Sequence, residues 1–276
     1  MQLFAPKHLC WRPDIPDFRD LLPDSPEILH LLPPAKLPNA TLPVSVNLSE
    51  YLLGCTISSS AAACPSSIVC VKLVEYFEYR CTGRLKPLCA QFVTRTLNAL
   101  GQSDCSGIRA NLKAIRRFGI PPDSIVQASN AHLDSRLPPI LFAYADEFRS
   151  MHYVRIGCQC DASSPVRSLK VWLASGFPMA FGFSVPSSLE GDGYIEYRPT
   201  FDSIQGGAAA LLVGYDDQQL AASKGAFRVY CPWGSAWGDQ GFGWLPYTFV
   251  ERRMALDFWT ILQPKWVESG ELFRAT

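Results

Sequence analysis

The amino-acid sequence predicts an α+β protein in which helices come first along the chain and strands follow. Two segments of the first half, 65–79 and 108–118, carry apolar side chains at the spacing of a helix with one buried face. In the second half, short apolar runs bounded by glycine, proline or polar residues are typical of buried strands. These runs are 179–185, 208–213 and 226–230. Helices and strands that occupy separate parts of a chain favour the α+β class.

The composition is that of a globular chain without a marked charge. Of the 276 residues, 48% are hydrophobic and 18% are charged, and the formal net charge is zero. There is no basic run, acidic tail or long apolar window, so we expect no nucleic-acid partner and no membrane span. The first residues lack the basic and apolar regions of a signal peptide. We therefore expect an intracellular or particle-associated protein that is not secreted by a signal peptide.

Ten cysteines are scattered along the chain. Without a secretion signal, they are expected to be mostly reduced and buried as small apolar side chains. Cys158 and Cys160 are the closest pair, and they would share one face of a strand by simple alternation. A structural zinc ion needs about four ligands with paired spacing, so we expect no metal and no other cofactor. A thiol redox or metal-binding function of this pair is an alternative.

Residues 1–44 form a proline-rich segment. Proline lacks a backbone N–H and its ring clashes with the preceding turn of a helix, so we expect neither regular helix nor central strand there. The segment is predicted to be an extended arm on the surface of the domain that follows.

The helix predicted over residues 65–79 would begin directly after Cys64. Pro65 suits the first helical position, where its missing N–H has no intrahelical partner in any case. Cys64 would then be the N-cap, where the helix dipole favours a thiolate. The alternative is that Cys64 is an N-cap residue without a chemical role. Further helices are expected near 87–95 and 166–175.

The second half also concentrates aromatic residues and glycines. Residues 231–242 read Cys-Pro-Trp-Gly-Ser-Ala-Trp-Gly-Asp-Gln-Gly-Phe. The glycines let the backbone pass close to the tryptophan rings, which predicts an aromatic core in a β-rich domain.

The spacing within residues 231–242 resembles a signature of papain-family cysteine peptidases of the C1 type. The signature is tryptophan-glycine, two residues, tryptophan-glycine, two residues, and glycine followed by an aromatic residue. The stretch 206–217 resembles the family strand that begins with the catalytic histidine. Residues 11–20 and 42–48 resemble the leader and start of a short-leader branch from bacteria and large DNA viruses. The resemblance spans roughly residues 11–262.

This resemblance implies a papain-like fold with two lobes. It places an N-terminal arm at 1–44 and a helical left lobe at 45–135 around the helix 65–79. A β-rich, barrel-like right lobe then covers 136–265, and a short tail covers 266–276.

The resemblance also locates the catalytic positions, and a suitable residue is present at only one of them. Cys64 matches the nucleophilic cysteine, with Cys55 as the alternative thiol. Ala208 stands in place of the catalytic histidine. Cys231 stands in place of the asparagine that orients that histidine.

The family glutamine that completes the oxyanion hole falls on Ser58, or on Ser59 if one residue is inserted. A serine hydroxyl is too short to replace a glutamine amide there. Thiol proteolysis needs a nucleophile, a base, an orienting group and an oxyanion hole, and only the thiol is left. The sequence therefore predicts a papain-fold pseudoenzyme with protein partners, acting as a binding protein or as a structural component of an assembly such as a virion.

The alternative function is an active cysteine peptidase or acyltransferase that uses Cys64 with an unrecognised base. A histidine from elsewhere in the chain could supply that base. Each of the four histidines is instead expected to be a surface or packed residue; they are His8, His30, His132 and His152.

Overall fold

A computed structural model of the chain describes residues 4–6, 9, 11–32, 41–53, 63–102, 107–129, 137–157, 164–196, 198–220 and 224–268. Helices dominate the first half of these residues and an antiparallel sheet dominates the second half, so the predicted α+β class is confirmed. The helices are α1 (Pro26–Leu31), α2 (Glu50–Leu53), α3 (Pro65–Thr82), α4 (Ala90–Ala99), α5 (Ile108–Phe118), α6 (Asp123–Ala128), α7 (Pro139–Tyr144), α8 (Pro165–Ala174), α9 (Tyr247–Glu251) and α10 (Pro264–Glu268). The strands are β1 (Ser45–Asn47), β2 (His152–Ile156), β3 (Met179–Pro186), β4 (Ile204–Asp216), β5 (Ala226–Tyr230), β6 (Phe242–Pro246) and β7 (Ala255–Leu262).

Helix α3 is the longest of the described helices and runs through the protein core. Pro65 is its first residue, as predicted, and it continues three residues past the predicted end. Gly83 ends the helix in a left-handed conformation with φ of 64°, and its N–H donates to the carbonyl of Tyr79. Most side chains of α3 are buried, including Lys72, whose ammonium lies 2.7 Å from Glu75. None of the described helices is long and apolar enough to cross a membrane.

The sheet is antiparallel, and its strands follow the order β2-β7-β3-β4-β5-β6, with β1 paired to β4. Strand β4 has 13 residues; its first part, from Ile204 to Leu212, pairs with β3, and its last part, from Leu211 to Asp216, pairs with β5. The sequence predicted only 208–213 as a strand, because glycine has little intrinsic preference for extended structure. In the fold, Gly206 and Gly207 pair with Val185 and Ser184 of β3, which extends the strand. Helix α3 packs against β4.

The prediction that residues 1–44 contain no regular helix is wrong. Helix α1 spans Pro26–Leu31, with Pro26 in its first turn. Proline disrupts a helix only beyond the first turn, and the next proline comes at Pro33. Ile28 is almost fully buried and anchors the short helix in the core.

The last described element, α10, begins within the residues assigned to the right lobe and extends into the predicted tail. Trp266 is 1% exposed, and its ring stacks on Phe77 of α3 with centroids 5.2 Å apart. Its indole N–H donates to Glu78 at 2.7 Å. These contacts pack α10 against the central helix.

Candidate active site

Cys64 lies at the N-cap of α3, as predicted. Its backbone is extended, with φ of −65° and ψ of 138°, and the residue is 7% exposed. Its N–H donates to the hydroxyl of Thr94 at 3.0 Å, and its sulfur lies 3.7 Å from the Ser66 hydroxyl. The backbone donor beside the candidate thiol therefore has an internal acceptor.

A buried chain of hydrogen bonds continues from this contact. The Thr94 hydroxyl donates to Ser67 at 2.9 Å, and the Ser67 hydroxyl donates to the side-chain oxygen of Asn111 at 2.6 Å. The Asn111 amide then donates to the carbonyl of Gly107 at 3.1 Å. These hydrogen bonds connect the beginning of α3 to α4 and α5. These hydrogen bonds were not predicted from the sequence, although Asn111, a polar residue next to Leu112 on an otherwise apolar helix face, was the available signal.

Ala208 lies inside β4, opposite Phe183 of β3. It is 3% exposed, and its side chain is a single methyl group that can neither accept nor donate a proton. The residue before it, Gly207, accepts a hydrogen bond from the backbone N–H of Trp11 at 2.9 Å.

Cys231 directly follows β5 and is fully buried. Its N–H donates to the carbonyl of Gly241 at 2.9 Å, and its own carbonyl accepts the N–H of Trp233 at 2.8 Å. Burial raises the pKa of the Cys231 thiol well above its ordinary value, so the side chain is neutral and apolar in character. The rings of Trp233 and Trp237 meet edge to face 4.8 Å apart, within the aromatic core that the sequence predicted.

The N-terminal segment covers the sheet beside Ala208. From here on, 'the arm' means only the described part of residues 4–21, within the arm predicted over residues 1–44. The Trp11 ring is 7% exposed and packs on β3 and β4, where a methyl group added at Gly182 or Gly207 would overlap it. Closer to the N-terminus, the centroid of the Phe4 ring lies 5.8 Å from that of the Trp233 ring.

A cluster of buried charges holds the arm in place. The backbone N–H of Asp14 donates to Asp257 at 2.6 Å, and the carboxylate of Asp14 accepts the N–H of Arg109 at 3.0 Å. Asp20 bridges the two arginines, at 3.0 Å from Arg109 and 3.2 Å from Arg155. Arg155 also contacts Asp257 at 2.5 Å. Three carboxylates and two guanidinium groups therefore meet where the arm crosses α5, β2 and β7.

Desolvation is the largest influence on the pKa of two of these carboxyl groups. Burial raises the pKa of Asp14, partly offset by the backbone hydrogen bond from Arg109 and by its charge. Burial also raises the pKa of Asp257, and the nearby Asp14 charge adds to that rise against the lowering effect of Arg155.

Several predicted residues lie outside the described residues. They are Cys55, Ser58, Ser59, Cys158, Cys160, His8 and His132. His30 is exposed on α1, and His152 is half-buried at the start of β2, where burial lowers its pKa. The described ranges contain no group of three or more histidine, cysteine or acidic side chains arranged to hold a metal ion.

The free thiols of the described residues include Cys70, Cys89 and Cys231. Burial raises the pKa of all three, to about 12 for Cys89. A thiol with such a pKa stays protonated near neutral pH and reacts slowly. These three cysteines therefore behave as small apolar side chains, as the sequence predicted for most of the ten.

The three-dimensional structure is similar to that of several solved cysteine proteases. Xylellain, a cysteine protease from Xylella fastidiosa, aligns with 95% of this chain and 99% of its own, with a TM-score of 0.69 and 22% identity. A procathepsin B from Trypanosoma congolense aligns with 82% of this chain and 78% of its own, with a TM-score of 0.57 and 14% identity. The chain has the papain-like fold. The predicted fold is thus confirmed.

The chain also has a viral homologue. An uncharacterised peptidase C1-like protein of Acanthamoeba polyphaga mimivirus is 29% identical over 174 residues, which are 59% of this chain. The matched part is 54% of the viral protein, so the chain spans about half the length of this relative. No protein-family model matches the chain.

Proposed function

We propose that this chain is a papain-fold pseudoenzyme, without peptidase activity, that acts by binding protein partners or as a structural component of an assembly. One observation carries the proposal. Ala208, the residue at the histidine position of the resemblance, presents a buried methyl group within β4. Activation of a thiol requires a titratable base within hydrogen-bond reach, and a methyl group has no such chemistry.

Two further contacts support the same conclusion. Cys231, at the position of the orienting asparagine, is buried and neutral, so it offers only a weak hydrogen-bonding thiol. The backbone N–H of Cys64 is directed to Thr94. An oxyanion hole needs donors aimed at the developing negative charge, whereas this N–H is used to stabilise the fold.

The arm supports a role in binding rather than turnover. Trp11 packs over Gly182 and Gly207 and covers the sheet next to Ala208. A peptide could reach that surface only if the arm moved. Partner contacts are therefore proposed for the outer surfaces of the papain-like fold.

The test is a peptidase assay of the whole chain under reducing conditions. Casein and a panel of fluorogenic peptides would be incubated with wild-type protein and with Cys64→Ala from about pH 5 to pH 8. The Trp11→Ala variant is included because a latent peptidase that the arm merely covers would become active in it. We expect the same background rate from all three proteins. Hydrolysis by the wild-type protein or by Trp11→Ala that Cys64→Ala abolishes would overturn the proposal.

The second candidate is a cysteine peptidase or acyltransferase that uses Cys64 with another base. The position of Cys64 at the N-cap of α3 favours it, since a long helix stabilises a thiolate at its N-terminus. Alkylation by iodoacetamide, followed at Cys64 by peptide mapping, separates the two functions. A rate near that of a simple exposed thiol or slower fits the pseudoenzyme, and a much faster rate at Cys64 fits the enzyme.

A further inference from the structure

The outer face of α5 carries a group of cations that have no ion-pair partner among the described residues. Lys113, Arg116 and Arg117 are exposed and none of them takes part in a salt bridge there. Their spacing of three and four residues puts them on one side of the helix. The formal net charge of the chain is zero. The excess of positive charge on this face therefore comes from where the cations lie on the surface and not from a basic composition.

A groove of about 320 Å³ runs beside these cations, between α4 and α5. Ala110 and Ala114 belong to its lining, and their small side chains leave room between the two helices. Leu97, Leu100 and Phe118 add larger apolar side chains to the lining. The polar lining residues are Asp14, Gln102, Arg109, Lys113 and Arg117, and Asp14 accepts the backbone N–H of Arg109. Leu100 is 52% exposed. The groove can therefore accept an apolar side chain from outside.

All three cations also line a second hollow beside α5. This hollow of about 620 Å³ is lined by Lys113, Arg116, Arg117 and Arg149 among others. Among the described lining residues the one acidic side chain is Asp146, which contacts Arg149 at 2.7 Å. Lys113 and Arg117 also line the groove between α4 and α5. The cations thus form a ridge between an apolar groove and a basic hollow.

We propose that this face, made of the groove between α4 and α5 and the ridge of Lys113, Arg116 and Arg117, binds an acidic amphipathic segment of a partner protein. Apolar side chains of the segment enter the groove between Ala110 and Leu100. Its carboxylates pair with the three cations, which fixes the register of the segment along α5. The proposal does not depend on whether the chain is an active peptidase.

The lining favours a protein segment over a nucleic acid. A nucleic acid is bound through a long track of cations along its phosphates and through aromatic rings that stack on its bases. Here the cations occupy little more than one helical turn, and the guanidinium of Arg117 lies over the Phe118 ring at 5.3 Å. The neighbouring groove is apolar, which suits leucine-like side chains.

The test uses a short fluorescein-labelled peptide made of leucine and glutamate pairs, with binding followed by fluorescence anisotropy. Two further probes are a peptide with serine in place of leucine and a single-stranded oligonucleotide of the same charge. The protein variants are Arg116→Glu/Arg117→Glu and a matched pair, Arg252→Glu/Arg253→Glu, after α9. Thermal unfolding checks that each variant is folded, and Arg116→Gln/Arg117→Gln replaces the charge reversal if that variant does not fold.

We expect the leucine–glutamate peptide to bind at micromolar concentration and to bind the Arg116/Arg117 variant at least about tenfold more weakly. The Arg252/Arg253 variant should bind like the wild type, and the serine peptide should bind more weakly than the leucine peptide. The proposal would be contradicted if both double variants lost the same affinity for the leucine–glutamate peptide. It would also be contradicted if the leucine and serine peptides bound equally well. Tighter binding of the oligonucleotide than of the peptide would assign the face to nucleic acid instead.

Discussion

The indole of Trp11 lies directly against the backbone of Gly207, the residue before Ala208. The two residues are joined by a hydrogen bond of 2.9 Å from the Trp11 N–H to the Gly207 carbonyl. A side chain at Gly207, or at the neighbouring Gly182, would occupy the volume of the ring or of the Trp11 backbone. The arm and the sheet are therefore complementary in shape at the place where the papain-family resemblance puts a histidine.

Replacing Gly182 with alanine should destabilise the protein because the new methyl group overlaps the Trp11 ring. Overpacking of this kind costs about 1–3 kcal/mol. The loss should be smaller in the Trp11→Ala background, where the ring is absent, so a double-mutant cycle by urea denaturation measures the coupling. Additive effects of the two substitutions would show that the arm does not pack on β3 in solution.

Replacing Ala208 with histidine should also lower the free energy of unfolding, since the residue is 3% exposed and pairs with Phe183 of β3. We expect a loss of about 1–3 kcal/mol from overpacking, and a clearly smaller loss for Ala208→Ser. Chemical denaturation of both variants checks the prediction. The histidine variant should hydrolyse no peptide, because the Cys64 N–H is still bonded to Thr94.

The hydrogen-bond chain at the beginning of α3 predicts a large effect for Asn111→Ala. Asn111 is fully buried and accepts the Ser67 hydroxyl at 2.6 Å. Its removal takes the acceptor from the buried Ser67 hydroxyl, which costs about 1–3 kcal/mol. Arg116→Ala, on the exposed face of the same helix, should change stability by less than about 0.5 kcal/mol. Similar losses from the two variants would contradict the buried network.

The charge cluster predicts a pH dependence of stability. The pKa values of Asp14 and Asp257 are raised in the folded chain, chiefly by burial. The folded state thus binds these protons more readily than the unfolded state does. Their contribution to stability is therefore complete below the ordinary aspartate pKa of about 4 and is lost as the pH rises through the raised values.

Asp257→Asn should flatten that dependence, because the amide does not titrate. Urea denaturation at a series of pH values above about pH 4 measures the slope. The exposed Asp24→Asn serves as the control and should leave the slope as in the wild type. A slope that is unchanged in Asp257→Asn would show that Asp257 binds no extra proton in the folded state.

Local signals explain why the core elements could be predicted from the sequence. The apolar spacing after Pro65 predicts α3 and places Cys64 at its N-cap, as found. Short apolar runs predict β3 and β5, whose bounds agree with the structure to within one residue. Helix α1 was not predicted because the density of prolines in residues 1–44 argues against regular helix, although Pro26, like Pro65, occupies a first turn, where proline is tolerated.

The sequence by itself determined the α+β class, the position of Cys64 and the absence of a titratable group at Ala208, because each depends on residue identity and local spacing. Only the tertiary structure decided that Trp11 lies on Gly207, that Asp14 meets Asp257, and that the Cys64 N–H is bonded to Thr94. These partners are separated by 30 to 243 residues along the chain. Local periodicity carries no information on which distant segments pack together, since that choice depends on how all the elements bury their apolar faces at once.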